Sequence, residues 1–141
     1  LKLTNDQLVA TDDNQMFFKY QSDATNSEAF TTFANWHFVH SIGGTDFISR
    51  LPIAVEADTQ YHFKIEVDSD RKAAIFVNGI QYNVTTTSGS TGGTAVTTGT
   101  TKTGALTNDV DLIPYIGIEN GAAAAEVLNV HYQSISRNVF E

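Results

Sequence analysis

Residues 61–68 alternate without a fault. Tyr61, Phe63, Ile65 and Val67 are apolar, and His62, Lys64, Glu66 and Asp68 between them are polar. A period of two is that of a half-buried strand, so the four apolar side chains are expected to face inward. Asp68-Ser69-Asp70 is turn chemistry, and residues 72–77 return as a second strand rich in Ala, Ile, Phe and Val. Asn78-Gly79 tolerates positive φ at both centres of a tight hairpin, and residues 80–84 predict the third strand of a meander. Upstream, residues 15–20 and 35–41 read as strands, the second with Trp36, Phe38 and His40 on one face. Residues 47–53 are a weaker strand, interrupted by Pro52.

Two further strands are expected near the end of the chain. Residues 112–119 carry apolar side chains on both faces, as a doubly covered strand does, with Pro114 at a bulge or an edge. Residues 127–136 alternate through Leu128, Val130 and Tyr132 and slip phase at Ile135. Helix signal is confined to residues 120–126, where four alanines follow the turn dipeptide Asn120-Gly121. Seven or eight strands with frequent turns predict an all-β, antiparallel sandwich or barrel.

Composition narrows this further. A chain of 141 residues, 41% hydrophobic and 17% charged, predicts one domain with a real core. Net charge is −8, and the eight Lys and Arg are scattered from Lys2 to Arg137. A nucleic-acid groove needs them clustered, so nucleic acid is excluded as an expected partner. No apolar run approaches the ~18 residues of a membrane helix. The absence of cysteine removes disulfides, thiol catalysis and Cys-type zinc sites. An opening at Leu1, with a polar start and no leader pattern, reads as a processed product or a fragment.

The stretch 85–107 stands apart, since 11 of its 23 residues are Thr, five Gly and two Ser. A loop this long inside a compact domain is functional or unstructured. Two readings stand: a solvated hairpin extension that continues the flanking strands as a β-ribbon, in which the strand propensity of threonine would let residues 94–98 pair, or an arm that orders only against a neighbouring subunit. The second would make Thr91, Thr94, Val96 and Thr98 subunit contacts and leave residues 86–107 floppy in the isolated chain.

Three stretches together resemble a known family. Residues 61–79, from Tyr61-His62-Phe63-Lys64 through Ile75-Phe76-Val77-Asn78-Gly79, resemble the strand–turn–strand–Asn-Gly unit of concanavalin A-like (laminin G-like) jelly rolls. Ile113-Pro114-Tyr115-Ile116-Gly117-Ile118-Glu119-Asn120-Gly121 with its alanine run, then Leu128-Asn129-Val130-His131-Tyr132, is similar to the closing strands of such modules in tailed-phage structural proteins. Asp12-Asp13-Asn14-Gln15-Met16-Phe17-Phe18-Lys19-Tyr20, Asn35-Trp36 and Gly43-Gly44-Thr45-Asp46 fit their opening. The resemblance covers nearly the whole chain, with residues 85–107 as an insertion. It implies a single jelly-roll domain over 1–141, made in the host cytoplasm and placed on the virion surface. The role it implies is non-enzymatic: a capsid decoration (cement) protein that contacts the major capsid protein, copies of itself in a homo-oligomer such as a trimer, or both. The alternative is a fibre adhesin that recognises host surface glycan through Trp36, Tyr82 and Tyr132.

Candidate chemistry is thin. Glu66 and Asp68 share one strand face, and glycosidases need two carboxyls roughly 5–9.5 Å apart, one with a raised pKa. Alternating with Lys and His beside a turn, the pair reads as a solvated face. His37 and His40 fall on opposite faces of one strand and are not expected to chelate together, and His62 and His131 lie on polar faces of separate strands. Acid clusters at Asp12-Asp13-Asn14 and Asn108-Asp109-Val110-Asp111 lack the spacing of a calcium loop and read as turns. No Gly-x-Ser-x-Gly elbow is present. No catalytic residue, metal or cofactor is expected.

Overall fold

A computed structural model describes residues 14–21, 34–89, 92–108, 112, 114, 116, 127 and 129–136. The chain divides into two compact units, Val9–Val110 and the pairing of Leu1–Leu8 with Asp111–Glu141. The first unit is all-β, with two sheets and no helix among the described residues. Its strands are β1 (Asn14–Lys19), β2 (Asn35–Ile42), β3 (Thr45–Ala54), β4 (Phe63–Val67), β5 (Ala73–Val77), β6 (Ile80–Tyr82) and β7 (Thr94–Ala95). One sheet runs β1-β2-β3-β7 and the other β4-β5-β6.

Alternation explains how the sheets meet. In β1 and β2, Phe18 lies opposite Phe38 and Met16 opposite His40, which puts Met16, Phe18, Trp36, Phe38 and His40 on one face. In the second sheet Phe63 faces Val77 and Ile65 faces Ile75. The two faces share one core built on Phe38, Leu51, Ile75, Val77 and Tyr82, and Phe18 stacks on Phe63 at 4.6 Å between ring centres. The expected hairpin chemistry is present. Asn78 and Gly79 both take positive φ (51° and 79°), and Asn78 Oδ1 also accepts the His62 N–H at 2.8 Å.

Pro52 does not end its strand. β3 runs ten residues through it, and the register between β2 and β3 shifts at Asn35/His37, so the missing donor falls where ladder pairing is already irregular. At the shift, Asn35 Nδ2 donates to the Leu51 carbonyl at 3.0 Å.

The described part of the Thr-rich stretch folds back onto the unit rather than extending a hairpin into solvent, and pairing within 94–98, which the strand propensity of threonine allowed, is present. Thr94 and Ala95 form β7, a parallel partner of β3, where only antiparallel pairing had been expected. Val96 turns into the core at 9% exposure, and its N–H donates to the Arg50 carbonyl. Thr98 bridges Tyr82, and the Thr103 and Leu106 N–H groups donate to the Ala73 and Arg71 carbonyls. The stretch is thus a strap from the β3 edge of one sheet to the β5–β6 side of the other. Threonine suits it: Thr103 is buried, and its Oγ1 accepts the Ala73 N–H at 2.8 Å, satisfying a donor that the ladder leaves open.

The closing strands are a second correction. Residues 127 and 129–136 belong to no strand and are exposed, as are residues 112, 114 and 116. Alternation prepares a strand, but a strand needs a neighbour's backbone groups. The remainder of 112–119, and Leu128, lie outside the described residues.

Candidate functional site

Strand pairing writes three cross-strand rows on the outer face of the β1-β2-β3 sheet. Lys19 lies opposite His37, and His37 opposite Arg50. The next row is Phe17, Val39 and Ile48, a small apolar cluster. The third is Gln15, Ser41 and Asp46. Its members are linked: Ser41 Oγ donates to Asp46 Oδ1 at 2.6 Å and accepts from Gln15 Nε2 at 3.1 Å. Ser41 is fully buried, so Ser41→Ala is expected to cost about 1–3 kcal/mol by stranding Asp46 and Gln15, as urea unfolding would read.

The basic row is buried too, with Lys19 and His37 among the buried polar residues. Burial above all holds the His37 imidazole down at about 4, against a hydrogen bond with the Asn35 backbone that raises it and with smaller help from the Arg50 and Lys19 charges. Gly93 lets the strap reach this face, because a Cβ there would meet Ile48 Cγ2 at 3.0 Å and His37 Cδ2 at 3.3 Å, and its φ is +62°. On the opposite face His40 lies between Phe38 and Phe47, its ring 4.7 Å from Phe47 and nearly parallel to it. Burial holds His40 at about 4 as well, and its buried Nδ1 has no hydrogen-bond partner among the described residues. The two histidines therefore occupy opposite faces of β2.

An aromatic cluster gathers around Trp36. Tyr20, Tyr61 and Phe63 lie 5.8, 5.5 and 4.6 Å from its ring, the last two edge-on. Tyr20 is exposed, whereas Trp36 and Tyr61 are half-buried. Tyr61 is held at its tip, where its hydroxyl donates to the Ala54 carbonyl (3.0 Å) and accepts the Glu56 N–H (2.9 Å). The Trp36 Nε1–H is buried and has no acceptor among the described residues. The exposed Tyr20 ring at the edge of this cluster can stack a planar or sugar-like group.

Within the first unit the residues singled out in the sequence do not form one exposed surface. Trp36 is in this cluster, but Tyr82 is in the core at 7% exposure, so its ring offers no face to a glycan. Tyr82 lies opposite Ile75 in the sheet and so faces the core. Tyr132 is 74% exposed and belongs to the other unit. Of the four strap residues, Thr94 and Thr98 are exposed, Val96 is a core residue, and Thr91 lies outside the described residues. Glu66 pairs with Lys64, and Asp68 is held below the usual carboxylate range, first by a hydrogen bond from Lys102 Nζ at 2.8 Å. A lowered pKa is the opposite of what a general acid needs.

Asn14, in the first acid cluster, accepts the Thr107 N–H at 3.3 Å, and Asp12, Asp13, Asp109, Val110 and Asp111 lie outside the described residues. Among the described residues no three His, Asp or Glu side chains gather to hold a metal. Sequence reasoning missed Tyr20 and Tyr61, and it missed the Lys19–His37–Arg50 row. Period-two placement of Tyr20 and Tyr61 relative to Phe18 and Phe63 was the available signal. No family model, curated protein or solved structure matches this chain.

Proposed function

We propose that this chain is a non-enzymatic structural module of a tailed-phage virion, a jelly-roll sandwich of the concanavalin A-like kind that decorates the outside of the capsid. Its partners in that reading are the major capsid protein and further copies of itself. The observation that carries the proposal is the strap. It ties both sheets by backbone and threonine hydrogen bonds without a single disulfide, which suits a rigid particle component made in a reducing cytoplasm. The local resemblance of residues 61–79 to lectin-like modules points the same way.

Copy number and location on purified particles, by quantitative mass spectrometry and immunogold labelling, test it. Hundreds of copies over the head are expected; absence from particles sinks the reading. A few copies at a fibre tip would favour the second reading, a glycan-binding adhesin. The Trp36 cluster with its exposed Tyr20 is the feature that supports that alternative.

A further inference from the structure

We infer that β4 is a self-docking edge, through which two copies of this chain join in an antiparallel pair about a twofold axis at Ile65. The inference does not depend on the virion reading. Among the described residues β4 pairs only with β5, and none of them pairs with its other edge. Hydrogen bonding fixes which backbone groups face that edge. The Asp68 N–H donates to the Lys72 carbonyl and the Asn78 N–H to the His62 carbonyl. With Lys64 opposite Phe76 and Glu66 opposite Ala74, the even-numbered residues are the ones bonded to β5. The N–H and C=O groups of Phe63, Ile65 and Val67 therefore point to the open side.

A second β4 fits that edge in one register. With Ile65 opposite its own copy, Phe63 meets Val67, Lys64 meets Glu66 and His62 meets Asp68. Ile65 and its copy, and Phe63 and Val67, then form the hydrogen-bonded pairs, which is the parity the open edge presents. Opposite charges line the outer face, where the Lys64 and Glu66 side chains are about half exposed. The inner face gains apolar cover for Val67, which is 45% exposed although its side chain points to the core side. Shifting the register by two residues either way breaks the Lys–Glu match. The edge carries no proline or bulge of the kind that blunts exposed strands. The product is a continuous six-stranded sheet with an isologous seam. A five-residue seam buries less than the ~1,200 Å² of a standard interface, so the pair is concentration-dependent and weakened by salt.

A register-specific cross-link tests the geometry, and the absence of native cysteine makes it clean. Lys64→Cys and Glu66→Cys chains, mixed and oxidised, are expected to form a disulfide heterodimer. These positions face each other as a non-hydrogen-bonded pair, about 4.5 Å between Cα atoms. The other Lys64–Glu66 contact of the seam stays intact. Sedimentation reads the charges: Glu66→Lys is expected to weaken the dimer about tenfold, because two attractive cross-strand pairs become repulsive. Adding Lys64→Glu to Glu66→Lys restores it. Both positions are exposed, and a thermal melt confirms folding. A wild-type chain that stays monomeric up to millimolar concentration overturns the inference. So does a mixture that yields homodimers as readily as the heterodimer, or a double variant no better than Glu66→Lys alone.

Discussion

Between pH 6.5 and about 4 the first unit is expected to lose about 3 kcal/mol of stability for each of two histidines. His37 and His40 are each 1% exposed, and burial lowers both imidazoles from 6.5 to about 4. The sign follows from which state takes the proton first. Below pH 6.5 the unfolded chain protonates both rings while the folded one keeps them neutral. Stability is thus fully present above 6.5, falls as pH drops through the window, and levels off below about 4.

The two sites differ in what faces them. Lys19 from β1 and Arg50 from β3 flank His37, whereas Met16, Phe38 and Phe47 surround His40 with no charge. His40→Phe keeps a ring between Phe38 and Phe47 and removes one titrating group. It is expected to halve the pH slope, and urea unfolding at pH 7.5, 5.5 and 4.5 would measure it. An unchanged slope would mean that His40 is not held neutral. Asp68 adds a loss at more acid pH: its stabilisation is present above the ordinary carboxylate value and is lost as pH falls from there through its lowered pKa.

Gly99→Ala is expected to destabilise the strap by about 2–4 kcal/mol, far more than a methyl group on a surface loop normally costs. A Cβ at Gly99 would overlap the carboxamide of Asn83. That carboxamide organises the strap, since its Nδ2 donates to Thr97 Oγ1 and to the Thr98 carbonyl, both at 3.3 Å, and its Oδ1 accepts the Thr101 N–H at 3.0 Å. Evicting it removes all three bonds at once. The clash has a signature in a double-mutant cycle. Asn83→Ala loses the same bonds by itself but empties the space, so Gly99→Ala should then cost little. Additive losses in the double variant would show that the two positions act independently.

Much of the first unit was legible because one face of each strand is buried. Alternation located β1, β2, β4 and β5 to within two residues at either end, and Asn78-Gly79 located the hairpin between β5 and β6. Residues 47–53, the weaker strand candidate, are β3, and Pro52 is accommodated within it because the register shift removes the need for the donor that proline lacks. Threonine content misled. Eleven Thr in 23 residues look like a solvated link, yet hydroxyls such as Thr103 Oγ1 and threonine backbone groups serve as the cross-links between sheets. Composition carries no information about which hydroxyl meets which N–H.

The candidate site was less legible still. Trp36 was visible as a lone tryptophan, but its partners come from two separate stretches, Tyr20 from one and Tyr61 and Phe63 from the other. The Lys19–His37–Arg50 row spans positions 18 and 13 residues apart, joined by strand register alone. Tyr82 shows the converse: an aromatic singled out as a glycan contact is buried, because its register opposite Ile75 turns it to the core.

The sequence alone determined that this protein is all-β, where β1 to β6 and the tight turn lie, and which side chains of β4 point to the core side. These follow from local geometry, since a period of two and a positive φ are written in neighbouring residues. Tertiary structure alone decided that the Thr-rich stretch is a strap and that residues 129–136, patterned as a strand, form none. It also decided which cations and rings become neighbours across β1, β2 and β3. Those outcomes depend on which backbone donors and acceptors find one another over long separations, and that pairing has no local signature.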